Sequence, residues 1–139
     1  MSISSQVQEN PFRLENANIT ILPSDPAFVW RNPIQATADY FVFKDIYAVT
    51  PGHLLFIPRE KNSNAQLMAC YQAAEDIGRT MVMAGKCDGF NIGRNNGESA
   101  GQTVMWPHIH MIPRRTGDME DPRGGVRHVI PERGNYKKW

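Results

Sequence analysis

Cysteine is scarce in this chain of 139 residues: only Cys70 and Cys87 occur, without Cys-x-x-Cys spacing. That pattern excludes a disulfide-framed scaffold and a cysteine-rich zinc module, and it suits reduced thiols in a cytoplasmic protein. An excess of one charge is also lacking. Fifteen Lys and Arg offset fourteen Asp and Glu, for a net charge of +1, so no polycationic field is available and neither nucleic acid nor a membrane is expected as a partner. No segment approaches the roughly 20 apolar residues of a membrane span. The amino terminus, MSISSQVQENPF, has neither the basic start nor the apolar run of a signal peptide. No repeat, low-complexity tract or polar linker divides the chain, which has 41% hydrophobic residues. One soluble globular domain over residues 1–139 is the expected organisation.

What is present falls into short apolar pieces around one longer periodic stretch. Phe12-Arg13-Leu14, residues 18–22 and Phe28-Val29-Trp30 are broken by Pro11, Pro23, Pro26 and Pro33, which suits edge strands and turns. Tyr40-Phe41-Val42-Phe43 and Leu54-Leu55-Phe56-Ile57 flank a turn-prone Pro51-Gly52 and predict an antiparallel hairpin. From residue 63 to 86 the period changes. Leu67, Cys70, Tyr71, Ala74, Ile77, Met81 and Val82 recur at three- and four-residue steps, predicting an amphipathic helix capped by Asn62, Ser63 or Asn64 and ended by Gly85. Strands are expected at Phe90-Asn91-Ile92, at residues 103–112 closed by Pro113, and at residues 126–130. The expected fold class is α+β, an antiparallel sheet of about five strands with one long helix packed on it and short additional helical turns.

The chemistry concentrates around His108 and His110. On a strand the two-residue period puts both imidazoles on one face, where one can act as a neutral nucleophile while the other handles a proton. A His-X-His pair taken alone fits equally a surface pair or an adventitious metal site. Its surroundings add content: Gly101-Gln102-Thr103 offers backbone N–H groups, an amide and a hydroxyl for phosphate oxygens, and Arg114 and Arg115 add positive charge. No serine or cysteine sits in a nucleophile-elbow setting. Together these favour phosphoryl or nucleotidyl chemistry over acyl chemistry.

The stretch from Gly101 through Gln102, Thr103, Val104, Met105, Trp106, Pro107, His108, Ile109, His110, Met111, Ile112 and Pro113 to Arg114 resembles the signature of the histidine triad (HIT) family of nucleotide hydrolases and transferases. The segment Asp88 to Gly97 and the block Asp45-Ile46 followed by Pro51-Gly52-His53-Leu54-Leu55-Phe56-Ile57-Pro58 resemble two further family blocks in the right order. The family core then covers about 40–115, with a C-terminal tail at 116–139. The resemblance implies that His108, in the middle-histidine place, attacks the α-phosphorus and forms a covalent nucleotidyl-histidine. It implies that His110 assists the leaving group, and that Gln102, Thr103 and Asn95 hold the phosphates. It gives Asp45 to the ribose hydroxyls, and Phe43 and Ile46 to the base. Phe43 and Ile46 fit plain core packing equally well, and a lone Asp45 would read as a turn aspartate. The expected substrate is a purine nucleotide or nucleotide conjugate, such as a dinucleoside polyphosphate or a nucleoside phosphoramidate, and the expected assembly is a homodimer.

The resemblance breaks at the first triad histidine, where Trp106 stands. Some bacterial members hold zinc with an N-terminal Cys-x-x-Cys, a histidine after the hairpin and that first histidine. Here no cysteine lies near the amino terminus, Lys61 occupies the hairpin place and Trp106 the triad place, so no protein-bound metal is expected, with Mg²⁺ at most accompanying a polyphosphate substrate. Two alternatives to hydrolysis are a nucleotidyltransferase and, because of Trp106, a nucleotide-binding regulatory protein with weak catalysis. His53 reads as scaffold beside the site and His128 as a surface residue. Tyr136 and Trp139, with Lys137 and Lys138, could fold over a partner subunit or fray.

Overall fold

The computed structural model describes residues 20–138 of the chain. The expected pieces at residues 12–14 and 18–19, and Trp139, lie outside the described residues. Five strands form one sheet: β1 (Gln35–Ala36), β2 (Tyr40–Lys44), β3 (Leu54–Pro58), β4 (Gly89–Gly93) and β5 (Ile109–Arg114), in the order β1-β2-β3-β5-β4. Every pairing is antiparallel. Among the described residues one α-helix, α1 (Asn64–Met83), runs between β3 and β4. None of the described helices is long and apolar enough to cross a membrane.

The two-residue period divides the sheet into faces, and each face has its own core. Val42 on β2, Phe56 on β3, and Ile109 and Met111 on β5 pack against Cys70, Ala73 and Ala74 of α1. Small residues on the helix let it settle close to the strands. Gly78 shows how close: a Cβ there would lie 2.7 Å from the Phe90 ring of β4. Ser63 starts α1 by accepting the Gln66 N–H at 3.1 Å, one of the amides a helix leaves without an internal partner. The opposite face carries Phe41, Phe43, Leu55 and Ile57, closed over by Phe28 and Trp106. Phe28, fully buried, meets Trp106, Trp30 and Phe41 edge-on with centroids 5.1, 5.2 and 5.6 Å apart.

Four expectations change. Phe28-Val29-Trp30 is irregular rather than a strand, because its job is to insert rings into the open face and its flanking prolines remove ladder donors. The strand expected over 103–112 begins only at Ile109, so His108 sits just before it, and it runs through Pro113, which pairs with Phe90. Residues 126–130 form no strand. Gly125–Val129 is a 3-10 helix, entered through Gly124 at φ 97°, a backbone state that glycine adopts without a Cβ penalty.

Candidate active site

The loop joining β2 to β3 is wound so that its backbone grips His53. Asp45 N–H donates to the His53 carbonyl at 3.1 Å, and His53 N–H donates to the Thr50 carbonyl at 3.2 Å. Gly52 permits the turn: its φ is 90°, and a Cβ would press on Met81 and Pro113 at 3.3 Å. Inside this coil the Val49 N–H donates to His53 Nδ1 at 3.0 Å. An imidazole nitrogen that accepts from an amide carries no proton, so in neutral His53 the proton is on Nε2. That Nε2–H donates to His110 Nδ1 at 2.9 Å and lies 3.3 Å from Asp45 Oδ2. His110 Nδ1 is therefore bare as well, and the His110 proton is on Nε2.

His108 is held by a different backbone group. Its Nδ1 lies 2.7 Å from the Trp106 carbonyl oxygen, and since a carbonyl only accepts, Nδ1 donates and Nε2 keeps a free lone pair. The Trp106 indole is buried, donating Nε1–H to the Pro58 carbonyl at 2.9 Å and packing against Phe28. The Trp30 ring stands 5.2 Å from the His108 ring on one side, and the His110 ring 5.4 Å on another. His110 itself sits between Leu55 of β3 and Gly93 of β4, on the face away from α1. With no side chain within 4 Å of where a Gly93 Cβ would be, that flank stays open.

Both histidines line a cavity of about 540 Å³, within the range of small-molecule sites. Phe43, Asp45, Ile46 and Thr103 line it with them. Ile46 is exposed rather than packed, and Phe43 is 3% exposed, so the two differ in kind: Phe43 is a core ring whose face forms a wall, while Ile46 overhangs it. Asp45 is a turn aspartate, its Oδ1 accepting the Tyr47 N–H at 2.8 Å, and it also borders the cavity. Gln102 and Asn95 are not on the cavity wall. The Gln102 amide is spent within its own loop, accepting the Gly97 N–H at 2.8 Å and donating to the Val104 carbonyl at 3.0 Å. The N–H groups of Gly101 and Gln102 likewise bond inward, to Glu98 and Gly97 carbonyls. Trp30, Val29 and Leu55 also line the cavity. Nothing in the chain's spacing marked Trp30, although an isolated aromatic between prolines is a signal that a segment inserts a ring.

Among the described residues, one group of His, Cys, Asp and Glu donors is close enough to share an ion: Asp45, His53 and His110, with donor atoms within 4.8 Å of one another. Metal-bound histidine normally donates a proton from its second nitrogen. His53 instead accepts one there from Val49, so binding metal through Nε2 would require an imidazolate. The donor set does not fit a cation in this loop conformation. It is a hydrogen-bond chain.

Comparison with known proteins gives a concordant picture. A family model described as HIT domain matches residues 31–117. The chain is 40% identical over 78 residues to Protein hit of Bacillus subtilis, covering 52% of this chain and 54% of that protein. It is 34% identical over 80 residues to adenylylsulfatase HINT3 of Arabidopsis thaliana, covering 53% and 41% respectively. To AP-4-A phosphorylase of Mycobacterium tuberculosis it is 34% identical over 84 residues, covering 53% and 42%. The chain thus spans about half the length, or less, of these curated relatives. Among solved structures, a zinc-bound histidine triad family protein from Mycobacterium smegmatis superposes with a TM-score of 0.58 at 29% identity, over 64% of this chain and 69% of that one. SMU.412c from Streptococcus mutans gives 0.57 at 35% identity, over 68% and 64%.

The hydrogen-bond chain has a measurable consequence for stability. Burial, reinforced by the positive charge His108 and His53 would present, lowers the His110 pKa from 6.5 to about 4 against a smaller opposing pull from Asp45. Burial lowers His53 too. A group whose pKa is depressed in the fold is protonated first in the unfolded chain, so its contribution is full above pH 6.5 and is lost as pH falls toward about 4. Urea midpoints are expected to drop across that interval more steeply for the wild type than for His110→Gln. Parallel curves would remove His110 as the cause.

Proposed function

The chain belongs to the HIT domain family, and we propose that it is a nucleotide hydrolase acting at an α-phosphorus through a nucleotidyl intermediate on His108. The observation that carries this reading is the pairing of opposite tautomers at the cavity wall. His108 presents a bare Nε2 because its Nδ1–H is given to the Trp106 carbonyl. His110 presents an Nε2–H because its Nδ1 is occupied by His53. A nucleophile and a hydrogen-bond donor side by side suit in-line displacement at phosphorus.

In the first step His108 Nε2 bonds to the α-phosphorus and the leaving group departs with the electron pair of its bond to phosphorus. Water then displaces His108, the electron pair returning to Nε2 and the water proton passing to solvent. In this reading Trp30, Phe43, Ile46 and Leu55 take the base, Asp45 the ribose hydroxyls, and the exposed Thr103 hydroxyl the phosphate. Gln102 shapes the loop that carries Thr103, bracing it through Gly97 and Val104. The names of the relatives, an adenylylsulfatase and an AP-4-A phosphorylase, support nucleotide-conjugate chemistry and leave open whether water or phosphate is the acceptor. Trp106 motivated a binding-only reading. Its carbonyl still sets the His108 tautomer, which favours catalysis. No metal is needed at the Asp45, His53 and His110 group for this route.

Incubation with a radiolabelled adenosine polyphosphate and acid-free quenching should trap a nucleotidyl adduct on wild-type protein. His108→Ala should abolish the adduct and lower turnover by roughly three orders of magnitude or more. Full turnover by that variant would sink the assignment. We extend the proposal to a homodimer, for which light scattering should return twice the 15.7 kDa chain mass; a monomer at micromolar concentration counts against it.

A further inference from the structure

Charge is placed unevenly along the cavity. At the end where the phosphate is proposed to sit, Thr103, Val104, His108 and His110 form the wall, with no lysine or arginine among them. Burial lowers the His110 pKa to about 4, so near neutral pH that ring adds no positive charge. At the nucleoside end, Arg31 and Lys44 both line the cavity. Both residues are exposed, and neither side chain forms an ion pair or hydrogen bond with the described residues. Unpaired positive charge at one end of a cleft draws the negative charge of a ligand to that end.

We propose that Arg31 and Lys44 bind a phosphate carried on the ribose, at its 2′ or 3′ oxygen, so that the substrates are conjugates of ribose-phosphorylated nucleotides. The inference rests on the orientation proposed above, with Asp45 at the ribose. It adds a recognition element for a group remote from the reacting phosphorus.

The chain brings both cations to the ribose. Lys44 closes β2 and directly precedes Asp45. Arg31 follows Trp30, and the antiparallel pairing of β1 with β2 carries it toward the same place. Gln35 lies opposite Val42, and the Ile34 N–H donates to the Val42 carbonyl at 2.8 Å. Moving back along the chain from Ile34 therefore moves forward along β2, from Val42 toward Lys44 and Asp45.

Asp45 does not neutralise either cation. Its Oδ1 accepts the Tyr47 N–H at 2.8 Å and its Oδ2 lies 3.3 Å from His53 Nε2, so the carboxylate is engaged within its own loop. With one ribose oxygen phosphorylated, Asp45 keeps the hydroxyl that remains, and its negative charge turns the phosphate outward to Arg31 and Lys44. The guanidinium supplies paired N–H donors to phosphate oxygens and the ammonium a compact charge. A second phosphate placed on the 5′ side meets the uncharged wall of Thr103 and Val104 and gains nothing from the two cations. Because the rim is solvated, the effect is selectivity among nucleotides rather than a large gain in affinity.

The test compares nucleotides that carry the same two phosphates in different places: adenosine 5′-diphosphate, adenosine 2′,5′-bisphosphate and adenosine 3′,5′-bisphosphate, with AMP as the baseline. Dissociation constants are read by titration calorimetry at low salt. One of the bisphosphates is expected to bind about tenfold tighter than the diphosphate, the scale that two partly exposed charge pairs reach together, and the isomer that does so identifies the phosphorylated oxygen. Added salt should narrow that gap. Combining Arg31→Gln with Lys44→Gln should bring the bisphosphates to within about twofold of the diphosphate, whereas Arg31→Lys keeps the charge and should keep most of the preference. Bisphosphates that bind no tighter than the diphosphate, or a preference that survives loss of both cations, overturn the inference, and AMP binding in the same experiment leaves the nucleotide reading of the cavity intact. Absence of binding by all the nucleotides, AMP included, is instead the failure of that reading and takes the inference with it. If the double variant does not fold, the wild-type constants decide alone.

Discussion

The hydrogen bond from His108 Nδ1 to the Trp106 carbonyl can orient the imidazole only if the carbonyl itself stays still. Much of the sheet face opposite α1 secures that. The Trp106 indole is pinned at its nitrogen by the Pro58 carbonyl and at its ring by Phe28, and Phe28 in turn fills the space over Phe41 and Phe43. Core packing and tautomer selection are thus one arrangement seen from two sides. A buried indole without a partner for its N–H would cost about 1–3 kcal/mol, and the Pro58 carbonyl meets that need while aiming the Trp106 backbone at His108.

The same economy governs the second histidine pair. A carbonyl below His108 and an amide beside His53 are backbone groups, which cannot ionise, so the proton positions they impose do not drift as side-chain partners titrate. One imidazole is left with a lone pair toward the cavity and the other with an N–H. Asp45 lies close enough to bias the pair, 3.3 Å from His53 Nε2, and also borders the cavity. The three histidines come from separate segments, the β2–β3 loop, the residues before β5, and β5 itself, and the sheet register that sets Leu55 opposite His110 brings them together.

Much of the fold was legible because its periods are simple. The hairpin around Pro51-Gly52, the helix with Ser63 at its start, and the strand at Phe90 each follow from strand-forming composition or three- and four-residue recurrence, and the structure returns them with ends shifted by no more than three residues. Residues 126–130 carry the β-branched Val126, Val129 and Ile130 that suit a strand, but Gly125–Val129 turns as a 3-10 helix, since Gly124 and Gly125 set a left-handed entry that composition alone does not encode. His108 and His110 were legible as a pair, although His108 precedes the strand. Gln102 was not legible as a loop brace: its type suits phosphate contact, and only the geometry shows its amide already committed at both ends. The Val49 amide that donates to His53 was invisible in principle, because every residue except proline has one and its aim depends on the closed loop.

The tautomers can be read directly. Long-range proton–nitrogen correlation spectra of uniformly ¹⁵N-labelled protein near neutral pH report which nitrogen of each histidine is protonated. The account predicts a protonated Nδ1 on His108, and protonated Nε2 with bare Nδ1 on both His53 and His110. A protonated Nδ1 on His53, or a bare Nδ1 on His108, would contradict it.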